Sequence, residues 1–131
     1  MERRIINPWT WQDAFGFVQA NEVTGASRVL VCAGQLSADA DGQLIHADDL
    51  PAQIAQTLDN LETVLGQAGM ALKDVVRLNY YTTDVEGLIA AAGTFGPRLA
   101  QAGCRPASTL LGVTRLAFPG QLVELEATAV A

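Results

Sequence analysis

The sequence predicts a single α+β domain in which two helices cover one face of a β-sheet. Two segments repeat apolar residues at helical spacing, and the segments around them are rich in β-branched or alternating apolar residues, which is typical of strands. Their order along the chain is strands, helix, strand, helix and strands, which favours one sheet with both helices on the same face. No repeat or linker divides the 131 residues, so the whole chain, 1–131, is predicted to be one domain with its own core.

The first half of the chain contains three predicted strands and the first helix. The strands are predicted at residues 3–7, 17–23 and 28–33. A helix is predicted over residues 50–68, because apolar side chains recur there every three or four residues. Asp48 or Asp49 can cap its N-terminus, and Gly69 can end it in a left-handed conformation.

The second half of the chain contains the second helix between strands. A β-branched and aromatic segment at residues 74–83 predicts a strand. Residues 85–102 predict a helix, with a bend or a break near Pro97 because proline lacks the backbone N–H donor. The last two strands are predicted at residues 108–114 and 122–130.

Alternation along these strands predicts which side chains face the helices. Those facing the helices are expected to be Val76, Leu78, Tyr80, Thr82, Val123, Leu125, Ala127 and Ala129. Those facing away are expected to be Arg77, Asn79, Tyr81, Thr83, Leu122, Glu124, Glu126, Thr128 and Val130. The apolar side chains of this second face are expected to be Leu30, Cys32, Tyr81 and Leu122. A half-apolar face that no helix covers indicates a partner subunit.

Composition argues against several classes of partner. The formal net charge of −6 opposes nucleic-acid binding, because a phosphate-binding surface needs positive charge. No apolar run approaches the roughly 18 residues of a membrane span, and the N-terminus lacks the apolar segment of a signal peptide. We therefore expect a cytoplasmic protein with neither a nucleic-acid nor a membrane partner. In that compartment both cysteines are expected to be reduced, with Cys32 buried.

The carboxylates of the last strand and the single histidine are the first candidates for chemistry. Glu124 and Glu126 lie on one face of a strand about 7 Å apart, which suits either acid–base catalysis or two exposed charges. Glu126 is expected to make a structural contact, with Arg77 or Arg115. His46 is the only histidine, and no Cys or His spacing predicts a metal site.

Three further side chains have two interpretations each. Arg105 precedes a proline in a predicted loop, where it is either a solvated charge or an anion contact. Trp9 and Trp11 flank Thr10 and are interpreted as packing anchors, with a ligand platform as the alternative.

Short matches along nearly the whole chain resemble one known family. They are Gly16-Phe17-Val18-Gln19, Val31-Cys32-Ala33-Gly34-Gln35, Gln56-Thr57-Leu58-Asp59-Asn60-Leu61, Ala68-Gly69, Asp74-Val75-Val76-Arg77, Thr83-Asp84, Pro106-Ala107, Val113-Thr114-Arg115-Leu116 and Val123-Glu124-Leu125-Glu126-Ala127. In this order they resemble the RidA family, also called the YjgF family. The resemblance implies a chorismate-mutase-like α+β fold, a homotrimer, and a small-molecule pocket between subunits. It also implies hydrolysis of reactive enamines and imines, such as 2-aminoacrylate, without a metal or an organic cofactor.

The resemblance also assigns the expected site residues. Glu124 matches the family's water-activating Glu, which makes it the expected catalytic residue. Phe17, Ala33 and Ala92 match substrate-binding positions, although deaminating members carry more polar side chains at the last two. Ser108 stands where the family motif Pro-Ala-Arg-Ser/Thr has the Arg that holds the substrate carboxylate.

Loss of that Arg predicts altered specificity. Arg105 is retained as a candidate substrate-binding residue, but it lies an odd number of residues before Ser108 and is expected to point to the opposite face. We therefore expect negligible 2-aminoacrylate turnover and a more apolar, less anionic ligand. Three functions follow: a cofactor-independent hydrolase or deaminase acting on a C=N bond, a non-catalytic small-ligand-binding trimer, and, ranked last, an endoribonuclease. The net charge and the lack of a histidine pair oppose the third.

Overall fold

The computed structural model describes all residues, 1–131, as six strands and two long helices. The strands are β1 (Glu2–Ile6), β2 (Ala20–Thr24), β3 (Val29–Val31), β4 (Val75–Thr82), β5 (Ala107–Gly112) and β6 (Val123–Val130). The helices are α1 (Leu50–Gln67) and α2 (Val85–Gln101), with short 3₁₀ helices at Trp11–Phe15 and Leu72–Asp74. The predicted α+β class and both helices are therefore confirmed.

One mixed sheet carries the core. Its strand order is β3-β6-β4-β5, with β4 and β5 parallel and the other pairs antiparallel. The remaining strands, β1 and β2, form an antiparallel hairpin. Val18, just before β2, pairs with Ala107 of β5, so the hairpin continues the sheet at its β5 edge through one bridge.

Both helices pack on one face of this sheet, as their apolar periodicity predicts. Leu58, Leu61 and Leu65 of α1 are fully buried, as are Leu78 and Leu125 of the sheet. Asp49 caps α1 by accepting a hydrogen bond from the Ala52 amide at 3.1 Å, and Asp84 caps α2 in the same way. The helix α2 runs through Pro97 without a break.

A β-bulge changes the predicted faces of β4. Val75 pairs with Ala129 but Arg77 pairs with Thr128, so Val76 is the extra residue. Val75 is therefore the buried side chain, and the expectation that Val76 faces the helices was wrong. Periodicity alone does not reveal a one-residue insertion.

The faces of β3 were also assigned wrongly. Leu30 pairs with Ala129 and packs against the core, and Cys32 belongs to the core as well. Val29 and Val31 are the exposed apolar side chains, at 64% and 77% accessible. The strand is short and its segment is apolar throughout, so its pattern does not fix which face is buried.

An arginine and an asparagine tie the hairpin to the sheet. Arg3 donates to the carbonyl oxygens of Lys73, Val75 and Arg105 and to Asn21 Oδ1. Asn21 in turn donates to the carbonyl oxygens of Val76, at 2.9 Å, and Arg105, at 3.1 Å. The segment that joins β1 to β2 lines the cavity described next, so these hydrogen bonds also help to position one wall of that cavity.

Candidate functional site

A large apolar cavity lies between α2, the 3₁₀ helix Trp11–Phe15 and the β4–β5 edge of the sheet. We call it the α2 cavity. Its volume is about 830 Å³, and 14 of its 21 lining residues are hydrophobic. That volume lies within the range of small-molecule sites, and a mostly apolar lining is typical of them. Four of the residues predicted to bind substrate line it: Phe17, Ala92, Arg105 and Ser108.

Ser108 lies on the helix-facing side of β5. It pairs with Leu78, which is fully buried beneath the helices, and paired residues of neighbouring strands point to the same face. Its hydroxyl oxygen has almost no solvent-accessible surface and no hydrogen-bond partner within the chain. A buried hydroxyl without a partner is unusual, and a ligand that fills the cavity could supply one.

The inner wall of the α2 cavity carries no ionised group at neutral pH. The only charged residues that line the cavity are Asp13 and Arg105, and both are exposed. Burial raises the pKa of the Cys104 thiol to about 11, so it is neutral and a poor nucleophile. Burial also raises the pKa of Tyr80, which keeps its phenol protonated.

The structure places Arg105 at the same cavity as Ser108, contrary to the expectation that it would face the other side. The strand β5 begins only at Ala107, so strict alternation does not extend back to Arg105. Its carbonyl oxygen is held by Arg3 and Asn21. Arg105 is thus a rim residue of the α2 cavity.

Aromatic side chains form the outer wall of the cavity. Trp11 contacts Phe17 edge to face at a centroid separation of 5.6 Å, and it contacts Phe15 at 6.3 Å. Trp9 and Trp11 are 59% and 57% accessible, so neither is the packing anchor that we expected. The sequence analysis did not predict that Phe15 lines the cavity. Its segment shows no strand or helix periodicity that would indicate where the side chain points.

Glu124 lies on the opposite face of the sheet from Ser108. It pairs with Tyr81, whereas the adjacent Leu125 is fully buried beneath the helices. Its carboxyl group packs against Gly34, where a Cβ atom would come within 2.7 Å of Glu124 Cδ. Gln121 Nε2 donates to Glu124 Oε1 at a long 3.4 Å. Only glycine at position 34 leaves room for this placement of the carboxylate.

Ala33, the fifth residue predicted to bind substrate, lies with Glu124 and not with the α2 cavity. It is exposed, and it directly precedes Gly34 in the chain. Gln35 Nε2 donates to its carbonyl oxygen at 3.2 Å. The predicted site residues therefore form two groups. Phe17, Ala92, Arg105 and Ser108 line the α2 cavity, whereas Ala33 and Glu124 lie outside it.

Glu126 makes a structural contact, although not with the arginines that we expected. Its Oε1 atom accepts from Tyr81 OH at 2.5 Å and from Asn79 Nδ2 at 3.0 Å. The hydrogen bond from Tyr81 holds the pKa of Glu126 below its usual value, with Asn79 as the second cause. Arg77 donates instead to Thr109 Oγ1 at 2.8 Å.

His46 does not line the α2 cavity. It is exposed in the loop before α1, where its φ of 60° is left-handed, and its carbonyl oxygen accepts from Gln53 Nε2 at 3.0 Å. The chain contains no cluster of three His, Cys, Asp or Glu side chains that could hold a metal ion. No helix has both the length and the apolar character needed to cross a bilayer.

Comparison with known proteins finds relatives over nearly the whole chain. The family model described as Endoribonuclease L-PSP matches residues 13–131. The chain is 29% identical over 104 residues to the RutC family protein PH0854 of Pyrococcus horikoshii, which covers 79% of this chain and 80% of that protein.

Solved structures agree with this assignment. YyfB of Yersinia pestis, described as a protein of unknown function of the conserved Rid family, is 40% identical with a TM-score of 0.82 over 100% of both chains. The YjgF gene product of E. coli is 25% identical with a TM-score of 0.69 over 87% of both chains. The matches by sequence and by fold agree, and the chain belongs to the Endoribonuclease L-PSP family, which includes the Rid and YjgF proteins.

Proposed function

We propose that this protein is a homotrimer that hydrolyses a small enamine or imine in a cleft between copies of the chain. One observation carries the proposal: Ser108 and Glu124 lie on opposite faces of the same sheet. A site that uses both therefore needs the cavity of one copy and the carboxylate of another. The exposed Val29 and Val31 at one sheet edge and Leu111 at the other give the uncovered face apolar surface for such contacts.

In this proposal Glu124 of one copy activates water over the α2 cavity of its neighbour. The carboxylate accepts a proton while the water oxygen attacks the carbon of the C=N bond, and the nitrogen gains a proton. The resulting carbinolamine collapses to a carbonyl compound and releases ammonia or an amine. The reaction consumes one water and requires no oxidant and no cofactor.

The missing Arg limits the substrate. A bidentate Arg–carboxylate pair contributes about 1.5–3 kcal/mol to binding, and Ser108 cannot replace it. We expect 2-aminoacrylate turnover to be negligible compared with an Arg-containing relative, measured as pyruvate formed from a 2-aminoacrylate generator. Equal rates would show that another cation, with Arg105 the first candidate, holds the carboxylate.

A second function, non-catalytic binding in the same cleft, is favoured by the neutral inner wall of the cavity. The two functions differ in their response to Glu124→Gln, which keeps the shape and removes the base. If the protein is an enzyme, this variant remains trimeric and loses the turnover found by screening a panel of imines. If tight binding of a panel compound occurs with no turnover of any, the binding function is correct.

Complementation between copies tests the shared site directly. Glu124→Gln removes the carboxylate and Ala92→Trp fills the cavity, so each variant alone should be inactive. When the two are unfolded together and refolded as mixed trimers, some sites combine an intact cavity with an intact Glu124, and part of the activity should return. No recovery in trimers shown by mass spectrometry to be mixed would refute a site shared between copies. Light scattering that gives a stable monomer at micromolar concentration would refute the assembly itself.

A further inference from the structure

We propose that the α2 cavity selects a ligand with an aromatic or branched apolar body and a neutral hydrogen-bonding head, such as an amide, a ketone or an uncharged imine. The inference rests on the proposed function, because it names the class of molecule that the same cleft takes.

The size and lining of the cavity call for an apolar body. A volume of about 830 Å³ far exceeds the needs of a three-carbon imino acid. Tyr80 and Phe95 form an aromatic pair at 5.9 Å on the inner side, and Trp11 with Phe17 forms another on the outer side. A flat ring between two aromatic pairs gains both buried area and favourable edge or stacking contacts.

Ser108 provides the position for the head group. Its buried hydroxyl has no partner within the chain, and a hydroxyl can donate to a carbonyl or accept from an N–H. A neutral polar head satisfies it without bringing a charge into the cavity. The head then lies at the β5 edge of the sheet, at the position where the family motif has its Arg.

A carboxylate head is disfavoured because no cation lies near Ser108 inside the cavity. The inner groups, Cys104 and Tyr80, are neutral, and Arg105 is exposed at the rim of the cavity. A carboxylate would lose its hydration with no ion pair to replace it.

The test compares probes of matched shape by calorimetry on the full chain at neutral pH. The probes are 3-phenylpropanamide, 3-phenylpropanoate, which differs only in its head, and propanamide, which lacks the ring. We expect the amide to bind at least about tenfold more tightly than the carboxylate, and propanamide to bind more weakly still. The amide should also change tryptophan emission, since Trp11 lines the cavity.

Two variants assign the binding to this cavity. Ser108→Ala should weaken binding of the amide about fivefold, the effect of one neutral hydrogen bond. Ala92→Phe fills the cavity and should abolish amide binding. Ala90→Phe is its matched control, because Ala90 is exposed on the same helix outside the cavity lining.

Any of three results would overturn the inference: a carboxylate that binds as well as the amide, a propanamide that binds as well as its phenyl analogue, or no amide binding at millimolar concentration. These results leave the proposed function standing if complementation between copies succeeds. Conversely, if complementation fails but the probes bind in the expected order, the ligand class is supported and the catalytic site shared between copies is refuted.

Discussion

Replacing Arg3 by methionine should destabilise the whole domain, because this side chain joins three separate segments. Its guanidinium donates to carbonyl oxygens of Lys73 and Val75, at 3.0 and 3.3 Å, and to the carbonyl of Arg105. It also donates to Asn21 Oδ1 at 2.9 Å. Methionine keeps most of the aliphatic length and removes every donor.

The expected loss follows from these contacts. A hydrogen bond to a charged group contributes about 1.5–3 kcal/mol, but part of the guanidinium is solvated and its contacts are not additive. We therefore expect the free energy of unfolding to fall by about 2–4 kcal/mol. For a domain of this size that lowers Tm by roughly 8–16 °C.

Arg4→Met is the matched control, one residue along the same strand. Arg4 pairs only with Glu22, and their side chains are 64% and 48% accessible. Such surface pairs contribute little, so its Tm should stay close to that of the parent. Both variants are melted at one protein concentration, since assembly links stability to concentration. Equal Tm changes in the two variants would refute the view that the Arg3 contacts hold the hairpin to the sheet.

Three further predictions concern Gly34, Cys104 and Glu126. Gly34→Ala brings a Cβ within 2.7 Å of Glu124 Cδ, so it should displace the carboxylate and lower any turnover roughly 100-fold. Gly66→Ala is the control: it has open space around it, and it should stabilise α1 by about 0.5–1 kcal/mol without altering turnover. Burial raises the pKa of Cys104 to about 11, so this thiol should resist iodoacetamide at neutral pH until the protein unfolds. Rapid labelling of the folded protein, detected by mass spectrometry, would contradict this. The lowered pKa of Glu126 stabilises the fold above the unfolded value of 4.5, and this contribution is lost as pH falls through the lower folded pKa. Tyr81→Phe should reduce that acid sensitivity in urea titrations across pH, and an unchanged pH profile would show that the Tyr81 contact is not its origin.

The sequence predicted the elements of the fold better than the faces of its strands. Both helices carry strong periodicity and their own caps, such as Asp49, so local chemistry alone determines where they begin. The bulge at Val76 and the direction of Leu30 depend on pairing with β6, which is distant in the chain. The residues of one strand alone do not determine its pairing register with another strand.

Four of the five residues predicted to bind substrate line the α2 cavity, but their arrangement relative to Glu124 could not be predicted from the sequence. The family resemblance named Ser108 and Glu124, yet only the strand register shows that they occupy opposite faces. The aromatic wall of Trp11 and Phe15 lies in a 3₁₀ helix with no recognisable period. Arg105 faces the cavity because β5 starts after it, a boundary that alternation cannot locate.

Ser108→Arg tests whether this one position determines the ligand class. The new side chain would enter the α2 cavity, which has room for it, and would place a guanidinium where the inner wall now has no charge. Binding of 3-phenylpropanoate should then improve by about tenfold or more through a charge-assisted pair, and the preference for 3-phenylpropanamide should reverse. Calorimetry measures both, with Ser27→Arg as the control because Ser27 is exposed in the turn before β3. If a folded Ser108→Arg variant still prefers the amide, the cavity's shape and not the charge at this position sets specificity, and the role given to the missing arginine is wrong.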